Sequence, residues 1–271
     1  MRAVKINLPE PNSRPLFSDP VSIGFGSVPG GTGCTTLACH FAVFLARSRQ
    51  RQRTLAMSAD RSGDLVRRLV GDVPLLLDTH WNHPDIGRLS VSFCPQETLT
   101  ESDDWEKDRS EAKVDLLAYL PNFSLPVPPD IVVVDLGPGQ TPSFDLDFWV
   151  IPVRDQRSID SVREGTFPVG RFGTLFVSNG GDSWSPLHSE KLLGVVKECG
   201  SGLLLPTKVP NSGLLRRTAE ERTHIWAVGE DDSCTRKRIE RFCFDLLVHV
   251  KAEQSRRDFL LAQERATTAE K

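Results

Sequence analysis

VSIGFGSVPGGTGCTTLACHFA, residues 21–42, reads as a short strand, a glycine-rich loop and the start of a helix. The run VSIGFGS at 21–27 is apolar and of strand type. Gly30, Gly31 and Gly33 follow within four residues, and Leu37, Phe41, Phe44 and Leu45 then recur at helical spacing. Glycines let backbone N–H groups turn toward an anion, and a helix N-terminus adds partial positive charge at the same place. The stretch is therefore built as a phosphate cradle. Thr35 and Thr36 place hydroxyls at the helix start, where a hydroxyl can ligate magnesium.

The general phosphate-loop pattern is G-x-x-x-x-G-K-[ST]. Gly33-Cys34-Thr35 occupies its last three places, so a cysteine stands where the lysine belongs. Read on its own, the segment also fits a glycine-rich strand-to-helix turn of a Rossmann-like fold.

Outward from this loop, strands are expected at 53–60, 73–78, 89–95, 131–139, 148–153 and 173–179, with another inside 201–210. Helices are expected at 63–71, 101–118 and 189–198. A last helix starts at about Asp232 or Ser233 as N-cap, with Ile239, Phe242, Cys243, Leu246, Leu247 and Val250 at helical spacing. Residues 121–130 hold four prolines and read as a surface loop. IVVVDLGPG, at 131–139, is continuously apolar up to Asp135, which suits a parallel strand covered on both faces. The alternation predicts one doubly wound α/β domain with a mostly parallel sheet. Its expected limits are 21–250, after a proline-rich extended segment 1–20 and before a helical tail 251–271.

Composition sets the outer bounds. The 271 residues are 39% hydrophobic and 25% charged, which excludes a mostly disordered chain. The net charge of −3 argues against whole-surface attraction to DNA or anionic lipid. No run of about 18 apolar residues is present to span a membrane, and no apolar signal core follows the N-terminus. A cytoplasmic protein is expected. The six cysteines form no CxxC pair and no common metal frame, so they read as reduced, mostly buried thiols.

PGGTGCTTLACHFA resembles the deviant Walker A of the ParA/MinD family, K-G-G-x-G-K-[ST]-T followed by a Leu-Ala-x-x-[LF]-A helix. Gly30, Gly31, Gly33, Thr35, Thr36, Leu37, Ala38, Phe41 and Ala42 agree. Both lysines are missing: Pro29 stands at the signature lysine and Cys34 at the Walker lysine. SADRSGDL at 58–65 is similar to the family's D-x-D-P-Q-G-N-L, with Ser58 on the first aspartate and Asp60 on the second. IVVVDLGPG resembles its D-x-P-x-G switch strand, with Gly137 in place of the proline. LFVSNGG ends on Asn179 at the family's adenine-contacting asparagine, and Pro210 matches the proline after a later strand. The resemblance covers about 21–250.

This resemblance implies a P-loop fold with ATP or ADP and Mg2+ as cofactors. Gly30, Gly31, Thr32, Gly33, Cys34, Thr35, Thr36, Asn179 and Pro210 would contact nucleotide. Thr35 and Asp135 would hold the metal, and Asp60 would position the attacking water. It also implies a homodimer with a protein partner, acting in plasmid or chromosome partition, septum placement, or placement of secretion or pilus machinery. The atypical loop is similar to that of the TadZ/CpaE branch, which places pilus machinery. Without the lysine, affinity should fall by roughly one to two orders of magnitude. A missing transition-state cation costs about 10³ to 10⁵ in rate. Weak or absent ATP hydrolysis is the expectation, unless a cation such as Arg61, Arg154 or Arg157 substitutes. An active ATPase switch and a purely structural subunit are the two other readings.

Other features weigh less. His80-Trp81-Asn82-His83 has the spacing of a metal pair, but two such histidines in a loop read rather as polar surface. His40 reads as a satisfied packing histidine. Arg216, Arg217, Arg222, Arg236, Lys237, Arg238 and Arg241 are basic, as a non-specific DNA surface would be. They are interleaved with acidic residues, which makes a solvated mixed-charge face the simpler reading. Phe259, Leu260 and Leu261 are too few for a membrane-binding amphipathic helix.

Overall fold

The computed structural model describes residues 20–26, 31–48, 52–76, 79–95, 114–115, 128–137, 144–165, 167, 169–180, 186–200, 202–229 and 232–269. In chain order the elements are β1 Val21–Phe25, α1 Cys34–Arg47, β2 Thr54–Ser58, α2 Asp64–Val70, β3 His80–Asn82 and β4 Leu89–Phe93. They continue as β5 Val114–Asp115, β6 Ile131–Asp135, β7 Phe144–Asp145, β8 Phe148–Val153, α3 Gln156–Arg163 and β9 Gly173–Ser178. The chain ends in α4 Pro186–Cys199, β10 Gly202–Leu204, α5 Gly213–Glu220 and α6 Ser233–Ala269.

Eight strands form one sheet in the order β10-β9-β8-β1-β6-β2-β4-β3. Every pairing is parallel except β3 on β4. β5 and β7 pair separately. Alternate residues of the central strands face opposite ways, as a strand's period of two demands. Ile131 and Val133 of β6 join Ile23 and Phe25 in a core closed by α1, α2, α5 and α6. Val132 and Val134 face the other core, closed by α3 and α4 through Ile159, Val162, Leu192, Val195 and Val196. Burying such a side chain contributes about 1.5–3 kcal/mol, so continuously apolar strands belong in the middle of a two-faced sheet.

β1 faces the second core with Ser22 and Gly24. A Cβ on Gly24 would lie 2.4 Å from Leu146 and 2.6 Å from Trp149, so this glycine leaves room for the indole. Ser22 bonds the buried Asp147 through its amide at 2.9 Å and its hydroxyl at 3.0 Å. These contacts fix the β1–β8 seam, whose carboxyl end carries the phosphate loop.

Several expectations are corrected. Residues 73–76 of VPLLLD form no strand: the chain turns at Gly71 (φ 94°), the Val73 amide bonds the Gly71 carbonyl at 3.0 Å, and Leu75 folds against Gly63. Residues 77–78 lie outside the described residues. Within 101–118, Val114–Asp115 is strand and not helix, and the other residues lie outside the described set. The 121–130 loop is described only at 128–130, which carry no regular element. His80–Asn82 is a strand and not a loop, because its backbone closes the β4 edge. Polar α3, not foreseen, is held by a capping box between Asp155 and Ser158. Helix α6 starts at Ser233, with Asp232 accepting from the Thr235 amide at 3.0 Å. It continues unbroken past residue 250.

Candidate nucleotide site

β1 delivers the chain into the loop at the carboxyl edge of the sheet, where β1 lies between β6 and β8. The chain turns from one side of the sheet to the other there, which is where open α/β sheets bind ligands. Gly31 (φ 76°) and Gly33 (φ 95°) are left-handed. At Gly33 a Cβ would also lie 2.5 Å from the Asn179 amide nitrogen. Asn179 follows β9 and donates that amide to the Thr32 carbonyl, bracing the loop against the sheet. No side chain of the N-cap residue bonds the start of α1, and a helix N-terminus favours an anion.

Thr32 through Thr36, Gly31, Asn179 and Pro210 line one cleft of about 330 Å3. Most of the cofactor-binding residues expected from sequence are therefore brought together. Gly30 lies outside the described residues, with Pro29 beside it. Cys34 is turned inward: it is 9% exposed, with its Sγ 3.5 Å from the Thr32 hydroxyl.

Asp135 ends β6 next to the loop and is completely buried. Among the described residues neither of its oxygens has a hydrogen bond of good geometry, although the Thr35 hydroxyl lies near. Burial pushes its carboxyl up to about 7; the Thr35 hydroxyl and Arg68 act against this rise, and Asp60 adds to it. An orphaned buried carboxylate beside a hydroxyl is a hard-oxygen donor set, which fits magnesium. Asp60 stands at the flank and does not line the cleft. It accepts from the Ser62 hydroxyl and presses on Gly137, where a Cβ would fall 2.5 Å from its Oδ1. Glycine at 137, where the resemblance led one to expect proline, leaves room for that carboxylate.

Three arginines line the same cleft: Arg68, Arg154 and Arg216. Arg154 donates to the Gly31 carbonyl at 2.8 Å, and Arg68 donates to the Thr36 hydroxyl at 3.0 Å. Of the substitute cations named from sequence, Arg154 reaches the loop, whereas Arg61 and Arg157 do not line the cleft. Arg68 was missed: its only sequence signal is a pair of adjacent arginines in a short helix.

His40 is buried, with Nδ1 donating to the Thr36 carbonyl at 2.6 Å and Nε2 accepting from the Ile225 amide at 3.1 Å. Burial lowers its pKa to about 4. His83 is not surface, as had been expected: it is buried with its ring 5.9 Å from that of His224. No group of three metal-ligating side chains occurs among the described residues. The basic residues near the C-terminus include ion pairs Arg217–Glu221, Arg222–Asp72 and Arg241–Asp245, as a mixed-charge face requires. Cys34, Cys39, Cys94 and Cys243 are buried free thiols, and Cys234 is an exposed one. No described helix is long and apolar enough to cross a membrane.

Neither a protein-family model nor a curated protein matches the sequence. Solved structures do resemble the fold. A ParA family ATPase from Chlorobium tepidum TLS is 16% identical over 83% of this chain and 98% of its own, with a TM-score of 0.60. An McdA variant from Cyanothece in complex with ATP is 17% identical over 84% of this chain and 97% of its own, with a TM-score of 0.61. The cell division ATPase MinD of Pyrococcus furiosus is 15% identical over 87% and 98%, with a TM-score of 0.57. At this identity the likeness speaks for architecture, and together with the loop at the carboxyl edge of β1 it establishes that the chain has the ParA/MinD-type P-loop fold.

Proposed function

We propose that this protein is a positioning or assembly factor that binds ATP or ADP with magnesium in this cleft and hydrolyses it weakly or not at all. One observation carries the reading. Thr35 lies beside the buried Asp135, a pair that would hold magnesium, while Cys34, buried against Thr32, stands where the resembled loop has its lysine. Gly31, Thr32, Gly33 and the first turn of α1 supply backbone N–H groups to the phosphates, and Asn179 braces the loop from β9. Magnesium, when bound, screens phosphate charge. Asp60, at the flank of the cleft, would orient an attacking water. The expected biology is partition, septum placement or localisation of secretion or pilus machinery, through a homodimer and a protein partner in the cytoplasm.

The test is a calorimetric titration with ATP and ADP, with and without magnesium, followed by phosphate release on the same sample. Magnesium-dependent binding without turnover supports the proposal. Turnover near 1 per second would sink it. A second reading, an active ATPase switch whose cation comes from outside the loop, is favoured by the contact of Arg154 with the Gly31 carbonyl. Phosphate release separates the two. No binding up to millimolar nucleotide would leave a structural subunit.

A further inference from the structure

We infer that Arg68 of α2 and Arg154 after β8 are the phosphate-binding cations of this cleft, reaching the loop from two flanks in place of a lysine within it. The inference rests on the reading of the cleft as a nucleotide site, and names the groups that would hold the di- or triphosphate.

The loop itself carries no cation. Cys34, buried against Thr32, brings no positive charge, and a P-loop fold without a nearby cation would have to hold a polyphosphate on peptide dipoles and magnesium alone. The two arginines supply that charge at two places. Arg154 donates to the Gly31 carbonyl, and Arg68 donates to the Thr36 hydroxyl in the first turn of α1. Neither forms an ion pair with a carboxylate among the described residues, and neither does Arg216 across the cleft. The contrast with other arginines is clear. Arg67, next to Arg68, pairs with Asp64, and Arg53, Arg163 and Arg217 also hold carboxylates. Arg68 is instead directed to a neutral hydroxyl. Arg68 also lies in the field of the buried Asp135, and Arg154 in that of Asp155, but both guanidiniums bond neutral acceptors of the loop and helix start, and three guanidiniums around one cleft suit an anion. A guanidinium suits the task, because its planar fork bonds two phosphate oxygens at once. The buried carboxylate of Asp135 sits below the same loop, so a metal and two arginines would share the phosphate charge.

The experiment titrates the full chain with pyrophosphate and, separately, with ATP and magnesium. It compares wild type with Arg68→Gln, Arg154→Gln and the double variant. Arg68→Lys and Arg154→Lys retain the charge and report whether loss of affinity is electrostatic. Thermal unfolding confirms that each variant is folded. Each glutamine variant is expected to raise Kd for both ligands by roughly tenfold or more, and each lysine variant to recover most of it. Wild type that binds both ligands with glutamine variants unchanged overturns the inference and leaves the nucleotide reading standing. Arginine-dependent binding of pyrophosphate without ATP binding supports the inference and removes the nucleotide. Wild type that binds neither ligand overturns both.

Discussion

His40 ties the first turn of α1 to the segment before α6, and its protonation should destabilise the protein in acid. Nδ1 carries the proton given to the Thr36 carbonyl, and Nε2 is the acceptor for the Ile225 amide. A second proton would have to sit on Nε2, facing a donor, in a buried site near Arg68 and His224. The pKa therefore falls from 6.5 to about 4, chiefly through burial. The unfolded chain then binds more protons than the native one between these values, so stability is fully present above pH 6.5 and is lost as pH falls toward 4. One pKa unit corresponds to about 1.4 kcal/mol, so the full loss is roughly 3 kcal/mol, of which about 2 falls between pH 7 and 5. Asp135 acts in the opposite direction. Its carboxyl is raised to about 7, so its contribution is present in acid and is lost as pH rises through 7. The total pH profile mixes the two, and a difference measurement isolates the histidine. Urea unfolding of wild type and His40→Gln at pH 7 and pH 5 gives that difference. At pH 7 the variant should be less stable by about 1–3 kcal/mol, because a buried donor and acceptor lose their geometry. At pH 5 the gap should shrink by about 2 kcal/mol. An unchanged gap would refute the account.

Three further outcomes are expected. Gly24→Ala drives a methyl into Leu146 and Trp149, at 2.4 Å and 2.6 Å before relaxation, and should destabilise by about 1–3 kcal/mol with red-shifted tryptophan emission. Thr35→Ala should abolish the magnesium dependence of nucleotide affinity in a calorimetric titration, while leaving the melting temperature of the free protein nearly unchanged. Asp135→Asn removes a buried negative charge whose carboxyl burial raises to about 7, so at pH 8 the free variant should melt higher than wild type. Magnesium plus ATP should no longer raise its melting temperature, and a wild-type response in the variant would exclude Asp135 from the metal site.

The parts of the fold that were readable are those where one local pattern has one packing solution. IVVVD at 131–135 is apolar at every position, and a strand between two helical layers is the arrangement that buries both faces. The glycines at 31 and 33 likewise specify a left-handed backbone whatever surrounds them. Elsewhere the outcome depended on distant partners. His80–Asn82 has a mixed composition, and pairing with β4 rather than any periodicity makes it a strand. VPLLLD has strand composition, yet Gly71 turns it away from the sheet before it can pair. Arg67 and Arg68 are chemically the same and adjacent. Only the packing of α2 beside α1 sends one to Asp64 and the other to Thr36. His83 and His224 meet although they are far apart in the chain, so neither could be recognised as half of a buried pair.

A loop with cysteine at 34 keeps its shape through groups that need no cation there. Its conformation depends on the left-handed glycines, the Asn179–Thr32 bond and the packing of α1 through Leu37, Ala38 and Phe41, and none of these needs a cation at 34. A lysine there would act on the ligand, and in its absence it would leave a charge to be solvated. Cysteine at that position is buried and packs as a small apolar residue instead. Cations on neighbouring elements differ from a lysine in the loop in one mechanical respect. Arg68 belongs to α2, which follows Asp60 in the chain, so a ligand that bonded its guanidinium would be tied to the helix next to the residue packed on Gly137, whereas a lysine in the loop would tie it to the loop alone.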